Sequence, residues 1–249
     1  MTRGNTSTIM RSRFAPIALA GALAIAVLLF AAWLFNPSTP DNDSVEAGFA
    51  RDMAEHHAQA VDMSLIMLSE SDSDDIGFLT YDIATTQSNQ IGRMQSWLIE
   101  WDLPLAGDGT RMEWMVQDNG SMAGHHDMSA LESADSGYTG MSMANEGTPG
   151  ESDYRAMPGM ATLGEMEKLR NAEGEDAEIL YLQLMITHHL AGVDMAQAAL
   201  DTAADQEVTD LAQAMVNGQE SEIYLMWDYL DARDAEPRED LAALGYTDR

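Results

Sequence analysis

The strongest constraint on the fold of this chain is an internal repeat, in which a frame of histidines and methionines recurs after 132 residues. The frame reads Met-x-x-His-His and continues to Val-Asp-Met; it begins first at Met53 and again at Met185. Further identities fall at the same offset without a gap: Glu46 and Glu178, Gln87 and Gln219, Ile91 and Ile223, Met94 and Met226, Leu98 and Leu230. The chain therefore contains a duplicated unit of about 50 residues.

Each copy of the repeat has the pattern of a helical hairpin. The first copy, rich in Ala, Met, Leu and Glu, predicts helices over 44–70 and 75–101, the second stopping before Pro104. The second copy predicts helices over 176–203 and 206–234, with Pro237 ending the last one. Two hairpins joined by a long crossover predict an all-α four-helix bundle over 44–235, with a pseudo-twofold relation between the hairpins.

The crossover, residues 103–174, is too long for an ordinary connection and is therefore either mobile or functional. It holds most of the glycines and nine of the methionines. Thr162 and Glu165 fit a capping box, which predicts a short helix over 162–172. Four of its residues are interpreted as an accessory metal-capturing arm, with a disordered segment of no specific role as the alternative: Met122, His125, His126 and Met128.

The N-terminal region indicates export. Residues 14–35 are 22 residues without a charge, and a helix of roughly 20 apolar residues spans a bilayer. The preceding segment, 1–13, carries three arginines, which favours a cytoplasmic N-terminus and an extracytoplasmic chain beyond the linker at 36–43. We expect a single-pass anchor in the cell membrane, followed by the bundle and a C-terminal tail at 236–249. Cleavage as a signal sequence, giving a secreted or periplasmic protein, is the alternative.

Composition narrows the function. The part beyond residue 35 carries 42 acidic residues against 9 basic ones, a formal charge of −33. Such a surface repels nucleic acid and anionic membranes, so neither is an expected partner. With no cysteine, disulfides and thiolate metal sites are excluded. Any metal must be bound by histidine, methionine, carboxylate or backbone.

The repeated frames lie on one face of each predicted helix. At about 100° per residue, Met53, His56, His57 and Met63 fall within an arc of roughly 120°, together with the large apolar Phe49. His56 and His188 lie nearer the centre of the arc than their neighbours, so one histidine of a pair could ligate while the other makes an outer contact. Neutral imidazole and thioether groups suit copper, especially Cu(I), and silver is a similarly soft cation.

Other interpretations of this face remain open. Methionines at helical spacing also fill the hydrophobic core. For Met94 and Met226, core packing is an equal alternative to a role as extra ligands. A di-iron centre would need Glu-x-x-His motifs, whereas methionine precedes His56 and His188 at that spacing. Haem held by histidines from both hairpins is a weaker alternative. A structural or interaction module without metal is another, with Trp97, Trp101, Trp114 and Trp227 as its partner surface.

Two stretches carry a family resemblance. The segment from Met157-Pro158-Gly159-Met160 to Val193-Asp194-Met195-Ala196, which includes the second histidine pair, resembles the bacterial family known as domain of unknown function 305. With the first frame included, the resemblance covers about 44–232. It implies a ferritin-like fold, export, and copper binding linked to copper resistance. The copper ligands that it implies are Met53, His56, His57, Met63, Met185, His188, His189 and Met195.

We therefore expect an extracytoplasmic protein that binds Cu(I), and Ag(I) as well, for buffering, trafficking or resistance. Its copper donor or acceptor protein is not indicated by the sequence. We expect no enzymatic activity, because multicopper oxidases use a cysteine at their electron-entry copper. A metal oxidoreductase is the remaining alternative from a different functional class.

Overall fold

A computed structural model describes residues 25–27, 39–107, 110–115, 157–238 and 241. The chain divides into two units, 1–39 and 40–249, and the helices given below belong to the second. Within the described ranges the regular structure is helical, without strands. None of the helices described is both long and apolar enough to cross a membrane. The predicted anchor at 14–35 lies outside the described residues, except for 25–27.

Between residues 39 and 238, the described ranges contain five α-helices where the sequence predicts them, each within three residues of the predicted ends. They are α1 (Val45–Glu70), α2 (Asp74–Glu100), α3 (Leu163–Asn171), α4 (Gly174–Thr202) and α5 (Gln206–Asp231), with a 3-10 turn at Glu113–Met115. Side-chain caps fix three of the starts, since Ser44, Thr162 and Asp205 accept backbone N–H groups of the first turns of α1, α3 and α5. The predicted capping box of Thr162 and Glu165 is present.

The end of α5 differs from the prediction, because Pro237 does not terminate this helix. The helix stops at Asp231, and the N–H of Ala235 donates to the carbonyl of Leu230 at 3.1 Å while Asp234 adopts a left-handed φ of 49°. The same closure ends α2, where the N–H of Leu103 donates to Leu98 at 2.8 Å across Asp102, at φ 57°. Both ends satisfy orphan carbonyls of the last turn. The structural repeat therefore includes the closures at the C-terminal ends of α2 and α5.

The helices pack as two hairpins. Helix α1 packs against α2, α4 packs against α5, and the hairpins meet through α1 and α4. These central helices run antiparallel, because the Ser64 hydroxyl lies 3.0 Å from the Tyr181 hydroxyl while Glu46 accepts from Ala204 N–H at 2.7 Å. The observed architecture is an all-helical bundle of two similar hairpins.

Equivalent side chains make equivalent contacts in the two hairpins. Arg51 donates to the carbonyl of Pro104 at 3.0 Å, and the residue at its repeat position, Gln183, donates to the carbonyl of Glu236 at 2.7 Å. Each bond ties the end of a hairpin's second helix to its first helix. The duplication is thus a property of the folded contacts as well as of the sequence.

Candidate metal centre

The four histidines of the repeated frames are all completely buried, at 0% exposure. Since neighbouring residues on a helix diverge by about 100°, the members of each pair point in different directions, with ring centroids 6.5 Å apart for His56 and His57 and 6.2 Å for His188 and His189. His56 and His188 point between the hairpins and meet there, with centroids 3.7 Å apart. His57 and His189 were expected to lie nearer the edge of the buried face, but they are no more exposed than His56 and His188.

His57 and His189 point instead toward the second helix of their own hairpin. His57 Nε2 lies 2.8 Å from the side-chain oxygen of Gln90 on α2, and His189 Nε2 lies 2.8 Å from a carboxylate oxygen of Glu222 on α5. Gln90 and Glu222 occupy equivalent repeat positions, each 33 residues beyond its histidine. Neither residue was predicted from the sequence, because Gln90 and Glu222 differ in type. They nevertheless lie in the same repeat frame as the identical pair Gln87 and Gln219.

All four imidazoles engage an oxygen through Nε2. His56 Nε2 lies 3.3 Å from the carbonyl of Pro158, and His188 Nε2 lies 3.0 Å from the carbonyl of His56. Carbonyl and carboxylate oxygens accept hydrogen bonds, so the proton of each neutral ring sits on Nε2. The Nδ1 atoms of all four rings are buried without a hydrogen-bond partner. Each ring therefore presents a free Nδ1 lone pair.

Burial also keeps His56, His57 and His188 neutral. Desolvation lowers the pKa of His56 to about 3, and it lowers the pKa of His57 to about 3 with the neighbouring His56 adding to the effect. Burial and the surrounding imidazoles hold the pKa of His188 well below its ordinary value. At neutral pH the Nδ1 lone pairs of these three rings are available without the loss of a proton.

The six predicted methionines are also buried, but they separate into two groups. Met53, Met94 and Met195 belong to one apolar cluster, and Met63, Met185 and Met226 to the other. Each group takes methionines from both hairpins, since α1 and α4 run antiparallel and the first Met of one frame lies on the same side as the last Met of the other. The predicted ligand set is therefore divided into two equivalent halves on either side of the His56–His188 contact.

The crossover contributes to the first of these clusters. Met115, Met157 and Met160 are buried in it with Met53, so these three crossover methionines are part of the hydrophobic core. The side chain of Gln59 accepts the N–H of Ala161 at 2.6 Å and donates to its carbonyl at 2.9 Å, which ties this part of the crossover to α1. The proposed accessory ligands Met122, His125, His126 and Met128 lie outside the described residues.

Two further buried polar groups accompany the histidines. Gln87 and Gln219 are 3% and 4% exposed, and in each the amide oxygen and nitrogen have no hydrogen-bond partner. Gln219 packs on the backbone of α4, where a Cβ at Gly192 would overlap its Oε1. Both glutamines lie one turn before Gln90 or Glu222, on the helix that faces His57 or His189.

The donor set fits a soft monovalent cation. Free imidazole nitrogens and thioethers are ligands that Cu(I) and Ag(I) accept, whereas hard divalent cations prefer several oxygens. Among the described residues no three side chains of the His, Asp or Glu type converge as a cation site. The thioethers of the two methionine groups are the soft donors that this core adds to its imidazoles.

Fold and site together define a class of duplicated helical-hairpin proteins with a buried histidine and methionine core. The sequence model of the family described as domain of unknown function (DUF305) matches residues 46–230. The chain belongs to this family, as the resemblance in its motifs predicted.

Solved structures of the family share the fold. A DUF305 protein from Streptomyces coelicolor is 38% identical, with a TM-score of 0.63 over 80% of this chain and 99% of that chain. A DUF305 fragment from Deinococcus radiodurans is 28% identical, with a TM-score of 0.53 over 76% of this chain and 96% of that one. CopM in a Cu(I)-bound form is 17% identical, with a TM-score of 0.50 over 76% and 97%. No curated protein matches the chain.

Proposed function

We propose that this protein binds Cu(I), and Ag(I) in the same way, in the core between its hairpins, and serves in copper buffering, trafficking or resistance. The observation that carries the proposal is the set of four buried imidazoles whose Nδ1 atoms have no partner. A buried acceptor without a partner costs about 1–3 kcal/mol. A bundle whose only task is structural would be more stable with apolar groups at these positions.

The charge of the core favours a monovalent ion. A thioether carries no charge, and within the described residues Glu222 is the one carboxylate hydrogen-bonded to the four buried imidazoles, so the core compensates at most a single positive charge. Burying a divalent ion among neutral ligands costs more than burying a monovalent one, since the desolvation cost rises steeply with charge. The fold likeness to CopM, whose solved form holds Cu(I), supports the same choice by analogy.

We infer two candidate half-sites from the grouping of the methionines. The first contains the thioethers of Met53, Met94 and Met195, and the second those of Met63, Met185 and Met226. The pseudo-twofold relation makes them equivalent in composition. In ferritin-like bundles the metal ligands project inward from facing helices, and the two proposed half-sites follow the same arrangement.

The proposed location is extracytoplasmic. It rests on the uncharged segment 14–35 and the arginines of 1–13, which favour either a membrane anchor or a signal sequence. The proposed role is to hold the ion and to pass it on, without catalysis.

The test is competition for Cu(I) between the full chain and a chromogenic chelator. We compare the wild type, the double variant His56→Ala/His188→Ala, and a control, Asp62→Ala, that removes an exposed carboxylate from the same helix. Tight binding by the wild type and the control, lost in the double variant, is the expected result. Urea denaturation verifies that each variant is folded. If the wild type does not compete with the chelator, the proposed function is wrong.

A further inference from the structure

The two hairpins differ in one charged contact to a buried histidine. His57 Nε2 donates to the neutral amide oxygen of Gln90, while His189 Nε2 donates to the carboxylate of Glu222, both at 2.8 Å. His189 is completely buried and Glu222 is 18% exposed. Gln, Ile and Met stand at equivalent positions around this residue in both halves, as Gln87, Ile91 and Met94 and as Gln219, Ile223 and Met226.

We propose that this difference makes His189 the first of the buried imidazoles to bind an ion, with Glu222 as its positioning residue. The inference rests on the proposed function, since it concerns the order in which that site takes up its ions. Glu222 does not touch the metal in this proposal. It acts through the imidazole, by holding the Nε2 proton and leaving Nδ1 as the ligand.

The physical reason is the effect of a carboxylate on a histidine ligand. A carboxylate that accepts the Nε2 proton increases the electron density at Nδ1 and orients the ring, and such outer partners commonly change metal affinity by about 10- to 100-fold. An amide oxygen fixes the same proton position but brings no net charge. The Glu222 charge also offsets the charge of the incoming cation across the imidazole, and that interaction is strengthened by the low dielectric of the core.

The surroundings of the other rings support this contrast. The hydrogen-bond partners of the other three rings carry no charge, since His56 lies against the carbonyl of Pro158, His57 against the amide of Gln90 and His188 against the carbonyl of His56. Only one half of the bundle therefore carries a carboxylate in direct contact with a candidate ligand, within the residues that the structure describes.

The experiment follows each imidazole during a titration with Ag(I), a diamagnetic soft cation. The full chain is labelled with ¹⁵N-histidine, and long-range ¹H–¹⁵N spectra report on Nδ1 and Nε2 of His57 and His189 separately, assigned by single substitutions. In the wild type, the His189 Nδ1 signal should change within the first equivalent and the His57 signal only afterwards. A merely structural role for Glu222 would not set this order.

Matched substitutions exchange the two contacts. In Glu222→Gln the affinity of the His189 half should fall by about 10- to 100-fold, and the two rings should respond together. In Gln90→Glu, which keeps Glu222, His57 should join His189 in the first equivalents. In the exchanged variant Gln90→Glu/Glu222→Gln the order should be inverted.

The results that overturn the inference are distinct from those that overturn the proposed function. Simultaneous response of the two rings in the wild type, His57 responding first, or an unchanged order in the exchanged variant each contradict the role of Glu222. Tight Ag(I) binding without any change at these imidazoles contradicts it as well. If chelator competition shows no Ag(I) binding and no Cu(I) binding, the proposed function is wrong and the inference falls with it.

Discussion

His56 and His188 occupy equivalent positions of the repeat and lie against each other where α1 crosses α4, with ring centroids 3.7 Å apart. Their hydrogen bonds are nevertheless not equivalent. His188 Nε2 donates to the carbonyl of His56 at 3.0 Å, whereas His56 Nε2 donates to the carbonyl of Pro158 in the crossover at 3.3 Å. The crossover therefore breaks the pseudo-twofold symmetry where the two hairpins meet, because its Pro158 carbonyl fixes the Nε2 proton of His56.

Gly159 makes this approach of the crossover possible. It has a φ of 74°, and a Cβ there would overlap the Cβ of Ala191 and lie 2.8 Å from the carbonyl oxygen of Thr187. Gly159→Ala should reduce the free energy of unfolding by about 2 kcal/mol or more, because strain at positive φ adds to overpacking against a helix backbone. It should also displace Pro158 from His56. Urea denaturation measures the first effect, and the His56 Nε2 chemical shift the second.

Gly174 provides the control for that substitution. Its φ is 59°, and a Cβ there would meet no atom within 4 Å. Gly174→Ala should therefore cost only the conformational strain, about 1 kcal/mol, and leave the His56 signal unchanged. Equal losses of stability in the two variants would show that contact with α4 has no importance at Gly159.

Glu178 and Glu46 are equivalent in the repeat but differ in what they bind. Glu178 is buried against Arg233, at 2.8 Å, with the two side chains 10% and 9% exposed, while Glu46 accepts the N–H of Ala204 at 2.7 Å. Glu178→Gln should reduce the free energy of unfolding by about 3 kcal/mol, because breaking a buried pair leaves Arg233 without its nearest counter-charge. Glu46→Gln keeps an acceptor and should cost less than about 1 kcal/mol. Thermal and urea denaturation of both variants compare these losses, and equal values would contradict the argument.

Gln87 carries an amide that is buried without a partner. Gln87→Met keeps the volume of the side chain and removes the unsatisfied donor and acceptor, so the metal-free protein should gain about 1 kcal/mol of stability. Gln90→Met is the comparison, since it removes the partner of His57 and should be destabilising by a similar amount. A loss of stability in Gln87→Met, measured by urea denaturation, would mean that the Gln87 amide is satisfied by a bound molecule.

The metal-free protein should lose stability in mild acid. The pKa of His56 and that of His57 fall from 6.5 to about 3 on folding, so between these values the unfolded chain binds more protons. The stabilising contribution of each neutral ring is complete above pH 6.5 and decreases as the pH falls toward 3. The slope approaches about 1.4 kcal/mol per pH unit for each such histidine.

Urea denaturation at pH 7.5, 6.5 and 5.5 tests this expectation before most carboxylates titrate. The variant His57→Gln lacks one of the two groups and should show a shallower decrease over the same range. A pH-independent stability in the wild type would contradict the burial of neutral imidazoles in the metal-free bundle.

Much of the fold followed from local patterns. The five helices were predictable because helical periodicity, breakers and the Thr162–Glu165 capping box are properties of adjacent residues. The end of α5 was not, since the prediction relied on Pro237 while the helix is closed by Asp234 in a left-handed conformation. An aspartate is a weaker signal for that conformation than a glycine.

The candidate site was predictable in its residue types but not in its contacts. The helix face placed His56 and His188 near its centre, and both are buried as that pattern implied. The burial of His57 and His189 was not evident, because it depends on the helix that packs beside them. Gln90 and Glu222, the partners of these rings, could have been found by comparing similar as well as identical residues across the repeat.

The sequence by itself determined the duplication, the positions of the helices and the helix face that carries the histidines and methionines, since repeat spacing and helical periodicity act along the chain. Only the tertiary structure decided which nitrogen of each ring is free and how the methionines are shared between two clusters. Those features depend on contacts between residues that are far apart in sequence, such as His56 with Pro158 and His188. Their geometry is fixed by the packing of whole helices, which no local pattern specifies.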